Sequence, residues 1–240
     1  MKKAAQARVF SGTGLRHIHE NKGNQDCVAA GRTALYTAAM LADGVSSVRC
    51  GGEGARVVCG ELRRCMLRYP AFFMECDEKK LPDFILGQAL QALRKEAGTE
   101  SVREYASTLA GLLVEHRSGR LLYYSLGDSL GLCTKNDNCY VLVKPEDNAD
   151  GCYVTVSVEA QIHMRIGKVE PEQYDTAIFF SDGAWRQIYS GTRLLPQVRD
   201  MLLHQDYDAL EEFLAGSGAE DDFSFSAIIR KPADGKGETT

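Results

Sequence analysis

The sequence predicts an α+β layered sandwich, and three observations carry that prediction. Short apolar runs bounded by turn residues outnumber helical stretches, and the helical stretches come in groups instead of alternating with strands. The middle of the chain is a series of short runs with no helical period among them. An alternating βαβ pattern and its parallel sheet fit less well.

Taken in order, β-like runs open the chain at 7–13, 26–30 and 34–42. Residues 52–69 carry helical spacing, with Ala55, Val58, Cys59, Leu62, Cys65 and Met66 on one face. A second helix is expected over 82–97, because Pro82 suits a first turn and Gly98 a stop. The runs 107–115, 120–126, 130–134 and 139–143 read as an antiparallel meander. Arg117-Ser118-Gly119, Gly127-Asp128-Ser129 and Asn136-Asp137-Asn138 supply its turns. Further strands are expected at 153–158, 162–169 and 176–180, helical stretches at 185–189, 194–204 and 207–214, and a closing strand at 223–230. No repeat, low-complexity block or linker divides residues 1–231, which read as one domain, and the polar tail 232–240 is expected to fray.

A chain of 240 residues can bury a full core without staples. Its net charge of −5 argues against a nucleic-acid partner, and no apolar run is long enough for a membrane span. The first residues, Met1-Lys2-Lys3-Ala4-Ala5-Gln6-Ala7, have the charge of a secretion signal without the apolar segment that should follow, so a cytoplasmic location is expected. The eight cysteines form no C-x-x-C pair, which leaves structural zinc unsupported. Buried, reduced thiols are the expectation.

The chemistry lies in the aspartates. Three apolar strands end alike: residues 35–42 run into Asp43-Gly44, 121–126 into Gly127-Asp128-Ser129, and 177–180 into Ser181-Asp182-Gly183. Asp221-Asp222 precedes the last strand, and Asp26 begins an early one. Any single Asp-Gly is an ordinary turn dipeptide. Together, strands that deliver carboxylates to their ends can converge on one rim, where the charges repel unless a cation sits among them. Oxygen ligands without His or Cys select Mg²⁺ or Mn²⁺, and two such ions can acidify a bridging water and orient a phosphate for in-line attack.

Six ordered motifs resemble those of the phosphatase 2C-like family of metal-dependent protein serine/threonine phosphatases. They are Asn24-Gln25-Asp26, Ala42-Asp43-Gly44, Ser107-Thr108-Leu109-Ala110, Gly127-Asp128-Ser129, Ser181-Asp182-Gly183-Ala184-Trp185 and Asp221-Asp222-Phe223-Ser224. The opening segment is most like the bacterial branch. The resemblance covers Asn24 to about Arg230. It implies a four-layer αββα sandwich, two antiparallel sheets flanked by helix pairs. It implies hydrolysis of phosphoserine and phosphothreonine in a protein substrate, a target of a Ser/Thr kinase, through a hydroxide bridging two Mg²⁺ or Mn²⁺ ions, with a third ion in bacterial relatives. Asp43 would bridge two metals beside the Gly44 carbonyl, Asp182 and Asp221 would complete the other metal, and Asp128 would serve the third. Asp222, beside Asp221, counts with the metal set because register there is open by one residue. Asp26 would support catalysis through metal-bound water.

Three positions depart from the family pattern. Gln25 stands where a metal-water Glu is usual, Asn21 where an arginine clamps substrate phosphate, and Val45 where a histidine often follows the first Asp-Gly. Arg16, His17, His19 and Lys22 are near enough in sequence to substitute for the clamp. His17 and His19 alternate as strand neighbours would, and Trp185 is expected to pack beneath the Asp182 turn.

Two rivals remain. A pseudophosphatase would keep the fold as a binding or regulatory module. Gly127-Asp128-Ser129-Leu130-Gly131 also satisfies G-x-S-x-G, but a serine-hydrolase elbow needs a helix after the serine, and the sequence there reads as a hairpin.

Overall fold

The structure, a computed structural model, describes residues 5–146 and 151–230. Strands β1 (Gln6–Gly12), β2 (Asp26–Arg32) and β3 (Tyr36–Asp43) open it, with the short helix α1 (Leu15–His19) after β1. Helices α2 (Gly51–Arg68), α3 (Pro70–Glu75) and α4 (Leu81–Ala97) follow. Next come β4 (Leu109–Glu115), β5 (Leu121–Leu126), β6 (Leu130–Lys135), β7 (Asn138–Val143), α5 (Ala160–His163), β8 (Arg165–Val169) and β9 (Thr176–Phe180). Helix α6 (Asp182–Ile188), the small hairpin β10 (Tyr189–Ser190) and β11 (Arg193–Leu194), α7 (Pro196–His204), α8 (Tyr207–Ala215) and β12 (Phe223–Ile229) complete the order.

Two five-stranded antiparallel sheets result, ordered β2-β3-β4-β5-β8 and β1-β12-β9-β6-β7. Residue alternation sorts their side chains into layers, as a period of two requires. In β3, Ala38, Met40 and Ala42 face α2 and α4, while Ala39 and Leu41 face the other sheet. In β9, Ile178 and Phe180 face α6, α7 and α8, while Ala177 and Phe179 face inward between the sheets. Central strands are thus buried on both faces, which is why they read as unbroken apolar runs. The four-layer αββα sandwich is the observed fold.

Four sequence expectations need correction, and one helix has to be added. The meander is not continuous: β4 and β5 belong to one sheet and β6 and β7 to the other. The chain changes sheets at Gly127-Asp128-Ser129, where Gly127 takes φ 106°, a left-handed conformation that costs glycine little. Residues 153–158 form no strand, because their backbone N–H groups go elsewhere. Tyr153 donates to Glu146 Oε2 (3.0 Å), Val154 to Ser157 Oγ (3.0 Å) and Thr155 to the Ser107 carbonyl (2.9 Å). The expected strand at 162–169 is helix α5 first and strand β8 only from Arg165. His17 and His19 sit on helix α1, not on a strand, and α3 begins at a proline that sequence reading passed over. Gly98 does stop α4, at φ 57°. The tail assigned to fraying lies outside the described residues.

Helix α2 packs closely against the segment that leads into β4. A Cβ at Gly54 would lie 2.0 Å from the Tyr105 carbonyl oxygen, whereas one at Gly60 meets nothing within 4 Å. Gly54→Ala is therefore expected to cost about 2 kcal/mol or more through overpacking. Gly60→Ala, on the same helix, should stabilise by roughly 0.5–1 kcal/mol through propensity. Urea unfolding of the two variants checks both signs.

Candidate metal centre

The two sheets deliver their acids to a common rim. In the first sheet β2 and β3 pair so that Asp26 lies opposite Asp43. The Asp43 backbone is held at both ends by Thr108: its N–H donates to the Thr108 hydroxyl at 3.0 Å, and its carbonyl accepts from the Thr108 N–H at 2.8 Å. Gly44 then passes so close to α2 that a Cβ would lie 2.4 Å from the Gly51 carbonyl carbon. An Asp-Gly pair is needed there for close approach, not only for a turn.

In the second sheet β9 ends at Ser181, whose N–H donates to the Ser224 carbonyl at 3.0 Å while its hydroxyl accepts from the Ser224 N–H at 2.9 Å. That clasp sets Asp182, in the first turn of α6, beside Asp221 and Asp222 at the entry to β12. Asp182 also accepts from Arg186 one turn on, at 2.6 Å. Asp128 arrives on the turn between sheets, and its carbonyl accepts from Trp185 Nε1 at 2.9 Å. Trp185 is therefore a partly buried strut between the Asp182 helix and the Asp128 turn, in addition to packing.

Asp43, Gly44, Asp128, Asp182 and Asp221 line one cleft, closed on one side by the loop 45–48 and on another by Gly151, Cys152 and Val154. Burial, reinforced by Asp26, Asp182, Asp128 and Asp221, pushes the Asp43 carboxyl well above the usual range. Burial and Asp182 raise Asp128 to about 6. Burial raises Asp26 to about 7 against the pull of the nearby Ser224 and Ser181 hydroxyls, yet both its carboxylate oxygens lack a completed hydrogen bond. As placed, no three His, Cys, Asp or Glu side chains among the described residues are close enough to share an ion. The donor set nonetheless suits a hard cation: crowded carboxylates, one of them buried with unpartnered oxygens, and a glycine carbonyl.

The remaining predicted residues divide sharply. Asp222 is buried with its carboxylate fully engaged. Oδ1 accepts from the Gly14 N–H at 2.8 Å, and Oδ2 accepts from the Gln25 N–H at 2.6 Å and from His17 Nδ1 at 2.8 Å. A carboxylate spent on three donors is an anchor, and it is Asp221 that lines the cleft. Gln25 lies with its backbone on Asp222 and its side-chain oxygen buried without a partner. Asn21 is exposed in a left-handed turn at φ 52° and does not line the acidic cleft. Val45 does.

Of the four basic candidates near Asn21, Arg16 is the one paired with an acid that lines the cleft. Its guanidinium donates to Asp221 Oδ2 at 2.8 Å and lies 3.4 Å from Ser46 Oγ. His17 is the buried partner of Asp222, His19 is exposed, and Lys22 pairs with Glu20 at 2.7 Å. Ser129 is buried, its hydroxyl has no partner, and Leu130 begins a strand, so neither the base nor the helix of a nucleophile elbow is present. Sequence reasoning missed the roles of Thr108 and Ser181, although both lie inside quoted motifs. It also missed Cys152, which lines the cleft with a thiol raised to about 12 by burial and by Asp128 and Asp43. Nothing in the residues around Cys152 signals that placement.

Comparison with known proteins bears on the fold and the family. The family model described as protein phosphatase 2C matches residues 13–216. Among solved structures, a bacterial serine phosphatase superposes with a TM-score of 0.74 at 14% identity, covering 94% of this chain and 98% of that one. Serine/threonine phosphatase Stp1 from Staphylococcus aureus superposes at 0.70 with 14% identity, covering 96% and 97%. The catalytic domain of the phosphatase PstP, in complex with two manganese ions, superposes at 0.69 with 18% identity, covering 94% and 98%. No curated protein sequence matches the chain. With the family model spanning most of its length and its acids gathered where the two sheets meet, this chain belongs to the protein phosphatase 2C family.

Proposed function

We propose that the chain hydrolyses phosphoserine and phosphothreonine in proteins with the help of Mg²⁺ or Mn²⁺. The observation that carries this reading is the convergence of Asp43, Asp128, Asp182 and Asp221, from two sheets, on one cleft. Asp43, the Gly44 carbonyl, Asp182 and Asp221 would hold two ions, and Asp128 a third, looser one. When bound, the ions supply charge that neutralises the phosphoryl oxygens and a water acidic enough to attack phosphorus in line. The protein's part is positional: Thr108 fixes Asp43, Trp185 fixes Asp128, and the Ser181–Ser224 clasp fixes Asp182. Asp26 supports Asp43 from the facing strand position. The neighbouring phosphatases crystallised with manganese or magnesium support the choice of ion.

Arg16 is our choice for the group that meets substrate phosphate. It is a guanidinium at the cleft rim, and it can make paired charge-assisted bonds that Asn21 cannot. Arg16→Ala should raise KM for an aryl phosphate about tenfold with kcat nearly unchanged. Asn21→Arg should bring no gain, because it forces a long side chain into a left-handed turn away from the cleft. Steady-state kinetics of the two variants distinguishes these positions.

Chelation should abolish hydrolysis and added Mn²⁺ should restore it. Asp43→Asn and Asp182→Asn should each lose about a hundredfold or more in turnover, and Asp128→Ala should mainly raise the Mn²⁺ concentration required. Mn²⁺ should also raise the melting temperature of the wild type but not of Asp43→Asn. Full activity in excess EDTA would overturn the metal mechanism, whereas no hydrolysis with or without Mn²⁺ would favour a binding module.

Ion-free protein should show the complementary electrostatic cost. Asp26 holds its proton to about pH 7 when folded and to about pH 4 when unfolded, so the native state binds the extra proton. Its contribution is complete below pH 4 and is lost as pH rises to 7. In EDTA, Asp26→Asn should remove a decline on the order of 1–4 kcal/mol over that window, measured by urea unfolding at pH 5 and 8.

A further inference from the structure

One pair of thiols lies outside everything the acidic cleft uses. Cys27 is half-buried on β2, the edge strand of its sheet, and Cys59 is fully buried on α2, which covers that sheet. Cys59 Sγ stands 3.5 Å from the Cys27 carbonyl oxygen, and Cys27 packs against the same core cluster that holds Cys59. We propose that Cys27 and Cys59 are a redox modification site, closing to a reversible disulfide between β2 and α2 when the protein meets a hydroperoxide.

The surroundings divide the work between the two sulfurs. The neighbouring Cys59 and then the Arg56 guanidinium lower the Cys27 thiol from its ordinary value despite its partial burial. Cys59 is held in its protonated form by Cys27 and by burial. Cys27 is only partly buried on its edge strand, which leaves a small oxidant a way in.

The chemistry balances with hydrogen peroxide as oxidant. Cys27 thiolate attacks one peroxide oxygen, an S–O bond forms, the O–O bond breaks, and the departing oxygen leaves as water after taking a proton. The Cys59 sulfur then attacks the sulfenic sulfur, an S–S bond forms, the S–O bond breaks, and the hydroxide leaves with the Cys59 proton as a second water. Two thiols lose two electrons and the peroxide gains them. Because Cys27 adjoins Asp26 in sequence, the bridge would tie α2 to the strand that carries one of the site acids. The proposal stands whether or not the chain is an active phosphatase.

The test uses the full-length protein, reduced, then exposed to a few equivalents of hydrogen peroxide, alkylated and mapped by mass spectrometry without reductant. The expected result is loss of two of the eight thiols, one peptide pair joined through Cys27 and Cys59, and full return with dithiothreitol. In Cys59→Ser, Cys27 should stop at a sulfenic acid that dimedone captures. In Arg56→Gln, loss of the Cys27 thiol should slow severalfold. Eight intact thiols, a link to any other cysteine, or Cys27 passing to sulfinic acid in the wild type would each overturn the proposal. The wild-type peptide map decides even if a variant fails to fold.

Discussion

A carboxylate withdrawn from water has to find donors, and the way Asp222 finds them organises the rim. It gathers the Gly14 N–H from the loop after β1, the Gln25 N–H at the entry to β2, and His17 from α1. The stretch from Gly14 to Gln25 is thus fixed at three points to the start of β12, nearly two hundred residues away or more, by one buried group. Breaking such a buried charged network by removing one partner costs on the order of 3–5 kcal/mol. Asp221 and Asp26, the immediate neighbours of the anchored segments, inherit their positions from it. Asp222 thus holds in place the segment that carries Asp221 to the cleft.

The rest of the core pays for the crowding of charge. Asp26, Asp43 and Asp128 all hold their protons more tightly than free carboxyls do, first because of burial and then because of neighbouring carboxylates, Asp182 being common to all three. Such a cluster opposes folding, and it persists because four packed layers over-determine the strand ends that bear it. Thr108, Ser181 and Trp185 bind backbone on or beside the acids, leaving the carboxylates themselves free. Stability is spent where chemistry needs charge, a common relation between active sites and folds.

Much of this was legible in the sequence, for identifiable reasons. Strands buried on both faces announce themselves as apolar runs, so β3, β4, β9 and β12 were plain, as was the stop of α4 at Gly98. Acids at strand ends were visible because each interrupts such a run. Three things were not. Which sheet a strand joins is decided by pairing across the molecule, so the change of sheet at Gly127 looked like one more hairpin. Residues 153–158 have strand-like composition, but their donors are taken by Glu146, Ser157 and Ser107, partners that composition does not reveal. The choice between Asp221 and Asp222 depended on three donors brought from nearly two hundred residues away or more.

The strand order carries a consequence for how the protein is made. In one sheet β12 lies between β1 and β9, with Gly12 opposite Phe223. At the usual pace of synthesis, about 5–20 residues per second, β1 waits on the order of ten seconds or longer for that partner to leave the ribosome. The sheet built from β2 to β5 and β8 can form meanwhile, with Asp26 and Asp43 already opposed but Asp221 and the Asp222 anchor absent. The nascent chain is therefore an incomplete centre until its final strand slots into the middle of a sheet. A translation product that ends before β12 would lack an acid of the site and the strand that joins β1 to the rest of its sheet.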